Sequence, residues 1–266
     1  MGVQRRQWSD LPDEARAAVE AYTGPVLKAV PTGGGLNSGL ASVLHDADGA
    51  VFVKGLPADH AQAWTQGREA AIAPHVADVA PRMLWHVRAG DWDLIGYEHI
   101  DGRHADYTPG SPDMSRVAEA LALLGKTPCP DVPVKTVHRW QDYVDRPEDL
   151  NRLDGVALLH TDLNPTNILV PGDGRALLVD WAWPTRAAAW IDPACWVVWL
   201  VAAGHTPAEA ERQAAAIPSW SQADAVALDM FARVQARLWA EIADDTPGRW
   251  AEGVAEAAAQ WEKHRT

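Results

Sequence analysis

The chain has 266 residues, of which 47% are hydrophobic and 22% are charged, a balance that fits one large or two small globular domains. Its net charge of −13 is spread along the chain without a basic patch, which disfavours nucleic-acid binding. The two cysteines, Cys129 and Cys195, show neither a metal-ligand spacing nor a disulfide framework.

The sequence shows no signal for secretion or membrane insertion. Residues 1–20 contain no hydrophobic signal region. The longest apolar run, residues 194–203, is too short to span a bilayer. We therefore expect a cytoplasmic protein without a membrane partner.

The first hundred residues predict a small, mostly antiparallel sheet with one inserted helix. A preceding helix is predicted over residues 10–22, with Asp10 as its cap and Gly24 after its end. Apolar runs broken by Gly- and Asp-rich turns indicate strands. The elements expected next are three strands across residues 31–56, a helix over 58–79, and a hairpin over 82–100 that turns at 89–91.

The remainder of the chain is predicted to be mainly helical with one β-rich insert. Ser111 caps a helix that has Pro112 at its first position and Gly125 at its end. Thr206 and Glu209 form a capping box that opens another helix. Further helices are expected near 139–153, 221–243 and 248–263, and the joint between the two parts is expected at 98–103.

A cluster of polar residues lies between two apolar runs at residues 158–170, LLHTDLNPTNILV. His160, Asp162 and Asn167 form the pattern H-x-D-x4-N, and Asp180 follows between apolar residues. A turn at PGDGRA makes residues 167–180 a hairpin, which brings Asn167 and Asp180 to the same end. Turn capping alone explains many such residues, but the whole pattern favours a functional site.

The amide and carboxylate oxygens of Asn167 and Asp180 suit Mg²⁺, which prefers oxygen ligands and brings phosphates with it. Asp162 is placed to accept a hydroxyl proton or to orient that hydroxyl for attack. His160 would hold the loop by hydrogen bonds. The sequence therefore predicts a phosphate-transfer site here.

Three features of the first hundred residues point to the same chemistry. Lys54 lies on an apolar strand, where a buried ammonium needs an anionic partner, although a lone strand Lys is usually a solvated edge residue. Glu69, on the helix that follows, can pair with it and aim it at nucleotide phosphates. The Gly-rich segment with Gly34, Gly35 and Ser38 can bring backbone N–H groups to those phosphates, or it is only a turn.

The order of these features resembles the protein-kinase-like fold. More closely, LLHTDLNPTNILV followed by LLVDWAWP is similar to the aminoglycoside phosphotransferase family, which includes choline and homoserine kinases. The family's usual form is near H-G-D-L-H-P-x-N-x-L followed by I-D-W/F-E. The resemblance, from about Thr32 onward, implies an α+β, two-lobe fold. It has a small antiparallel β lobe with one helix at 1–100, which binds the nucleotide, and a larger, mainly helical catalytic lobe at 101–266.

The resemblance also implies a role for each candidate residue. It makes Asp162 the catalytic aspartate, with His160 beside it in the loop. The other implied roles are Mg²⁺ ligation by Asn167 and Asp180, phosphate binding by Lys54 positioned by Glu69, purine binding by the backbone of Glu98 and Ile100, and support of the catalytic loop by Asp192 in a D-P-x-x-D element.

Four positions depart from the family pattern. Thr161 replaces the common Gly and Asn164 the common His, and both leave the chemistry plausible. Ala182 stands where an acid is frequent, and Trp196 replaces the second Asp of D-P-x-x-D. The departures at Ala182 and Trp196 weaken the inference of a substrate from the family more than they weaken the inference of catalysis.

We expect a phosphotransferase that moves the terminal phosphate of ATP or GTP to a hydroxyl of a small molecule. The resemblance suggests an aminoglycoside or another cationic antibiotic as the acceptor, and small metabolites compete with it. Acidic residues of the C-terminal helices either line a cation-binding cleft or form a solvated face; they are Asp224, Asp229, Glu241, Asp244 and Asp245.

Other classes of protein are less favoured. No A-P-E follows Asp180, and Asp192 comes about a dozen residues later, which argues against a protein substrate. A non-catalytic, nucleotide-binding pseudokinase stays open, although both Asp162 and Asp180 are retained. A metal-dependent hydrolase lacks the paired His spacing that it would need.

Overall fold

The computed structural model describes residues 5–33 and 38–266, which group into two compact units. The first unit contains Met1–Asp101 together with Asp180–Ala182. The second contains Gly102–Val179 together with Trp183–Thr266. An antiparallel sheet in the first and helices in the C-terminal region confirm the predicted α+β class.

The first unit is built on a five-stranded antiparallel sheet. Its strands are β1 (Lys28–Pro31), β2 (Leu40–His45), β3 (Ala50–Pro57), β4 (Met83–Ala89) and β5 (Trp92–Glu98). They lie in the order β1-β2-β3-β5-β4. The hairpin between β4 and β5 turns at Gly90 and Asp91, whose φ angles of 53° and 60° are those that a tight hairpin turn requires. The predicted turn and the strands β2 to β5 are confirmed, whereas the first strand lies before most of the residues predicted for it.

The helices of the first unit are α1 (Asp13–Thr23) and α2 (Trp64–Ile72). Gly24, with φ 74°, ends α1 as predicted, and its N–H donates to Glu20 O over 2.8 Å. The prediction that Asp10 caps this helix is wrong. Pro12 occupies the position before α1, and Asp10 instead accepts the Gln7 N–H at 2.8 Å in a short 3-10 helix.

The second unit contains two small three-stranded sheets. Their strands are β6 (Gly102–His104), β7 (Lys135–Thr136), β8 (Ala157–Leu159), β9 (Ile168–Pro171), β10 (Leu177–Leu178) and β11 (Thr185–Ala187). The strand orders are β10-β9-β6 and β7-β11-β8. Antiparallel pairing of β9 with β10 confirms the predicted hairpin over residues 167–180.

Most helices of the second unit begin where local sequence signals predict. Thr206 and Glu209 form the predicted capping box, and Gly125 ends its helix as predicted. Ser111 Oγ accepts the Asp113 N–H at 3.2 Å, but Pro112 and not Ser111 occupies the position before that helix, one residue later than predicted. Residues 194–202 of the apolar run lie in a largely buried helix, and no helix in the described part of the chain has the length and apolarity to cross a membrane. The helices are α3 (Asp113–Leu124), α4 (Ile191–Ala202), α5 (Pro207–Ala214), α6 (Ala225–Asp245) and α7 (Arg249–Arg265).

The prediction of a helix near residues 139–153 is wrong. Two short 3-10 helices, Val137–Trp140 and Pro147–Arg152, occupy this region instead. Pro147 disfavours helical backbone at the preceding residue, and Arg146 is extended at φ −140° and ψ 143°. The break leaves Arg139 within the short 3-10 helix Val137–Trp140 rather than inside a long α-helix.

Candidate active site

Three charged side chains meet in the first unit. Lys54 on β3 is only 7% exposed, and its Nζ lies 2.6 Å from Glu69 Oε1 and 2.9 Å from Asp180 Oδ1. Glu69 comes from α2 and is buried. A strand, a helix and a segment 126 residues away in sequence from Lys54 thus converge on one ammonium group.

The buried environment shifts the protonation equilibria of this cluster. Burial alone would lower the pKa of Lys54, but the carboxylates of Asp180 and Glu69 outweigh it and raise the pKa above its ordinary value. Burial raises the pKa of Glu69 to about 7, although Lys54 acts in the opposite direction. The ammonium is therefore held as a fixed positive charge.

Tyr97 is a member of this cluster that the sequence analysis missed. Its hydroxyl donates to Glu69 Oε2 over 3.0 Å, and burial raises the pKa of the phenol well above its ordinary value. Lys54 pairs with Ile95 across the sheet, so Tyr97, two residues on, projects from the same face. That alternation is the signal by which the sequence could have revealed it.

The polar cluster predicted at residues 158–170 forms a loop in the second unit. His160 is buried, and its Nδ1 accepts the Asp162 N–H at 3.3 Å. Its Nε2 therefore carries the hydrogen and donates to Val179 O over 2.9 Å. One imidazole thus joins the backbone at residue 162 to the end of the following hairpin.

Asp192, near the start of α4, holds the same loop through its carboxylate. Its two carboxylate oxygens accept the His160 and Thr161 N–H groups at 2.9 and 2.8 Å. Burial raises the pKa of Asp192, while these two hydrogen bonds act to lower it. Two successive backbone groups before Asp162 are thereby fixed to one helix.

Asn167 lies at the start of the hairpin, and Asp180 follows its second strand. Asn167 Nδ2 donates to Asp162 O over 3.3 Å, which leaves Oδ1 as the other polar atom of the amide. The Val179 N–H donates to Asn167 O over 2.8 Å, and Asp180 is the next residue along the chain.

The backbone is strained at two of these positions. Among residues 5–33 and 38–266, the non-glycine residues with positive φ are Asp91 (60°), Thr161 (68°) and Asp180 (64°). Asp91 lies in a hairpin turn, where this conformation is ordinary. Thr161 directly precedes Asp162, and Asp180 is itself a predicted site residue. Backbone strain of this kind persists where surrounding contacts enforce it.

The predicted nucleotide-binding backbone is only partly described. The Glu98 N–H donates to Arg82 O over 2.9 Å, and Ile100 and Ser38 are half-buried. Gly34 and Gly35 lie outside the described residues. The purine and Gly-rich-loop roles therefore stay predictions.

Three of the five acidic residues named for a cation cleft have local structural partners. Asp224 caps α6 by accepting the Ala227 N–H at 2.7 Å, and Asp229 accepts Arg265 Nε at 2.7 Å. Glu241 lies beside Tyr143, whose pKa is raised first by burial and then by that carboxylate. These contacts favour helix capping and ion pairing at 224 and 229.

A five-stranded antiparallel sheet followed by a mainly helical region is the architecture of a protein-kinase-like fold, as predicted. Neither a protein-family model nor a curated protein sequence matches the chain. Solved structures do match: choline kinase LicA from Streptococcus pneumoniae is 14% identical, with a TM-score of 0.66 over 94% of this chain and 98% of that one. At this identity the likeness establishes the fold.

Two further solved structures share this fold. An aminoglycoside phosphotransferase from Alicyclobacillus acidocaldarius is 16% identical, with a TM-score of 0.65 over 96% of this chain and 94% of that one. A spectinomycin phosphotransferase bound to AMP is 11% identical, with a TM-score of 0.61 over 92% and 96% of the two chains. The structural resemblance to small-molecule kinases and phosphotransferases thus extends over nearly the whole chain.

Proposed function

We propose that this protein is a small-molecule kinase that transfers the terminal phosphate of ATP or GTP to a hydroxyl group, with Mg²⁺. The observation that carries the proposal is the buried ammonium of Lys54, fixed by Glu69 and Asp180. A buried cation held by two carboxylates is costly to maintain for stability alone. In a chain with this fold, its use is to bind phosphate.

In this proposal, residues 1–100 form the nucleotide-binding lobe. Lys54 binds the phosphates and Glu69 positions it, supported by Tyr97. The backbone of Glu98 and Ile100 binds the purine. Gly34, Gly35 and Ser38 approach the phosphates through backbone N–H groups. The AMP complex of the spectinomycin phosphotransferase supports a nucleotide as the phosphate donor.

Residues 101–266 supply the catalytic loop and the acceptor site. Asp162 orients the acceptor hydroxyl and takes its proton, while His160 and Asp192 keep the loop in place. Asn167 Oδ1 and the Asp180 carboxylate are the oxygen donors that suit Mg²⁺. The chemistry that Mg²⁺ supplies when bound is neutralisation of charge on the phosphate oxygens.

The proposed acceptor is a small molecule with a hydroxyl group, from the aminoglycosides and related cationic antibiotics or from small amino alcohols. The neighbours include a choline kinase and aminoglycoside phosphotransferases, which supports both classes. A net charge of −13 favours a cationic acceptor over an anionic one. An antibiotic acceptor would make the protein a resistance enzyme of the cytoplasm.

The test is release of ADP or GDP by the purified protein with Mg²⁺, across aminoglycosides, peptide antibiotics, choline, homoserine, sugars and nucleosides. One acceptor should stimulate release in the wild type and not in Asp162→Asn. The control is Asp131→Asn, which changes an exposed carboxylate of the same unit and should leave release unchanged. Calorimetry with Mg-nucleotide is run on each variant.

The outcomes separate the candidate functions. Nucleotide binding without release for any acceptor would contradict phosphate transfer and favour the pseudokinase alternative, a nucleotide-binding module that performs no transfer. Absence of nucleotide binding would contradict both. Equal loss in Asp131→Asn would contradict the role given to Asp162.

A further inference from the structure

We infer that Arg139 and Thr161 form a positioning pair that fixes Asp162 for phosphate transfer, an inference that rests on the proposed function. Thr161 directly precedes Asp162 and has φ 68°, a conformation that β-branched residues rarely adopt. Arg139 Nη1 donates to Thr161 Oγ1 over 2.6 Å. The inference gives a function to a threonine whose backbone is strained.

The strained conformation of Thr161 is held in place by contacts to both its backbone and its side chain. Its N–H donates to Asp192 Oδ1 over 2.8 Å, and its hydroxyl donates to Trp183 O over 3.2 Å. A strained residue persists only where its surroundings enforce the conformation. Because ψ and φ of Thr161 set the direction of the next residue, these contacts also set the direction of Asp162.

The hydroxyl contacts form a closed network around one carbonyl oxygen. Thr185 Oγ1 also donates to Trp183 O, over 2.9 Å, and also accepts from Arg139 Nη1, at 2.8 Å. Each hydroxyl thus uses its one hydrogen on the carbonyl and a lone pair on the guanidinium nitrogen. The two hydrogens of Nη1 suffice for both hydroxyls, and Nη1 also lies 3.4 Å from Trp183 O itself.

This network joins the catalytic loop to the segment that follows Asp180. Thr161 lies between His160 and Asp162 in the chain, and Trp183 lies three residues after Asp180. The Arg139 guanidinium also lies 5.2 Å from the centre of the Trp140 ring, which restrains its orientation. Loss of the guanidinium should therefore loosen the loop without removing any group that reacts.

The expected signature is a loss in kcat with little change in nucleotide affinity. Arg139→Met and Thr161→Val should each lower kcat by about 10- to 100-fold, because small misplacements of reacting groups carry costs of that order. The KM for nucleotide should change by less than about twofold, because neither residue is assigned to nucleotide binding. Thr161→Ser, which keeps the hydroxyl, should retain most of the activity.

The double variant shows whether the two residues act as one pair. If Arg139 acts through the Thr161 hydroxyl, Arg139→Met with Thr161→Val should lose about as much kcat as either single change. Multiplied losses would overturn the pairing. Arg237→Met is the matched control, because Arg237 also bridges a backbone carbonyl and a side chain, Tyr143 O at 2.8 Å and Asp145 at 2.6 Å, and it should leave kcat unchanged.

A second measurement does not depend on catalysis. Amide hydrogen exchange of the peptide over residues 158–164 should become faster in Arg139→Met and stay at the wild-type rate in Arg237→Met. Exchange unchanged by Arg139→Met would overturn the positioning role. Faster exchange in a protein that transfers phosphate to no acceptor would instead contradict the proposed function, so the two failures are distinguishable.

Discussion

Ionisation of the Glu69 carboxyl group should make the free energy of unfolding depend on pH. Its pKa is raised by burial from 4.5 to about 7. A raised pKa in the folded state adds stability below the unfolded value, and this stability is lost as pH rises through the folded value. The unfolding free energy of the wild type, relative to Glu69→Gln, should fall by about 2–3 kcal/mol between pH 4 and pH 8.

Urea unfolding of both proteins across this pH range measures the effect. The variant has no titrating group at position 69, so the difference between the two proteins isolates Glu69. Parallel curves for the two proteins would mean that the carboxyl ionises at its ordinary pKa, and that Lys54 compensates its burial fully.

The Tyr97 hydroxyl should matter to nucleotide binding although it touches no proposed ligand. Tyr97→Phe removes the hydrogen bond to Glu69 and should cost about 1 kcal/mol of stability. Because Glu69 orients Lys54, we expect affinity for Mg-nucleotide to weaken several-fold in calorimetry. Tyr22→Phe, at a residue that is 59% exposed, should change neither quantity. Wild-type affinity for nucleotide in Tyr97→Phe would show that Lys54 and Glu69 keep their orientation without the hydrogen bond from Tyr97.

The sequence revealed those site residues that lie in one contiguous pattern, and it missed those brought in by folding. His160, Asp162 and Asn167 are close together in the chain, and turn chemistry placed Asp180 at the end of their hairpin. Arg139 and Tyr97 reach the site across 22 and 28 residues respectively. A lone Arg or Tyr in an ordinary segment carries no signal of its partner until the fold is known.

At the scale of elements, close packing of the β4–β5 hairpin depends on Gly96. A Cβ at this position would lie 2.2 Å from the Trp85 ring. Gly96→Ala should therefore destabilise the protein by about 1–3 kcal/mol, the usual cost of overpacking. Denaturant unfolding measures the change.

The matched control for this substitution is Gly49→Ala, in the turn between β2 and β3, because a Cβ there meets nothing within 4 Å. It should change stability by a few tenths of a kcal/mol at most. Equal stability of Gly96→Ala and Gly49→Ala would mean that the Trp85 ring moves aside at no cost, and that the hairpin is loosely packed.

Elements with strong local signals were predicted, and elements defined by distant partners were not. The β2–β3 and β4–β5 hairpins carry alternating apolar residues and turn residues, and α5 carries a capping box. The strands β7 and β11 have two and three residues, too few to show a period, and they pair across about fifty residues of chain. The helix predicted near 139–153 failed because Pro147 and its neighbours favour turns over a continuous helix.

At the scale of the whole molecule, nucleotide binding and phosphate transfer should separate in a thermal-stability experiment. A ligand that binds only the folded state adds about 2.7 kcal/mol at 100 times its Kd. Saturating Mg-ATP or Mg-GTP should therefore raise the Tm of the wild type by several degrees. Asp162→Asn should keep this increase while losing transfer, because Asp162 is assigned to the acceptor and not to the nucleotide.

The variant that should lose the increase is Lys54→Met combined with Glu69→Gln, which removes the ammonium without leaving the carboxylate at 69 unpaired. Lys28→Met removes an exposed ammonium from the same sheet and should respond to nucleotide as the wild type does. If the double variant kept the full increase in Tm, phosphate binding would not depend on Lys54, and the buried ion pair would be structural. If Asp162→Asn also lost the increase, the division of the chain into a nucleotide-binding part and an acceptor-orienting part would be wrong, since one change in the second would then control binding in the first.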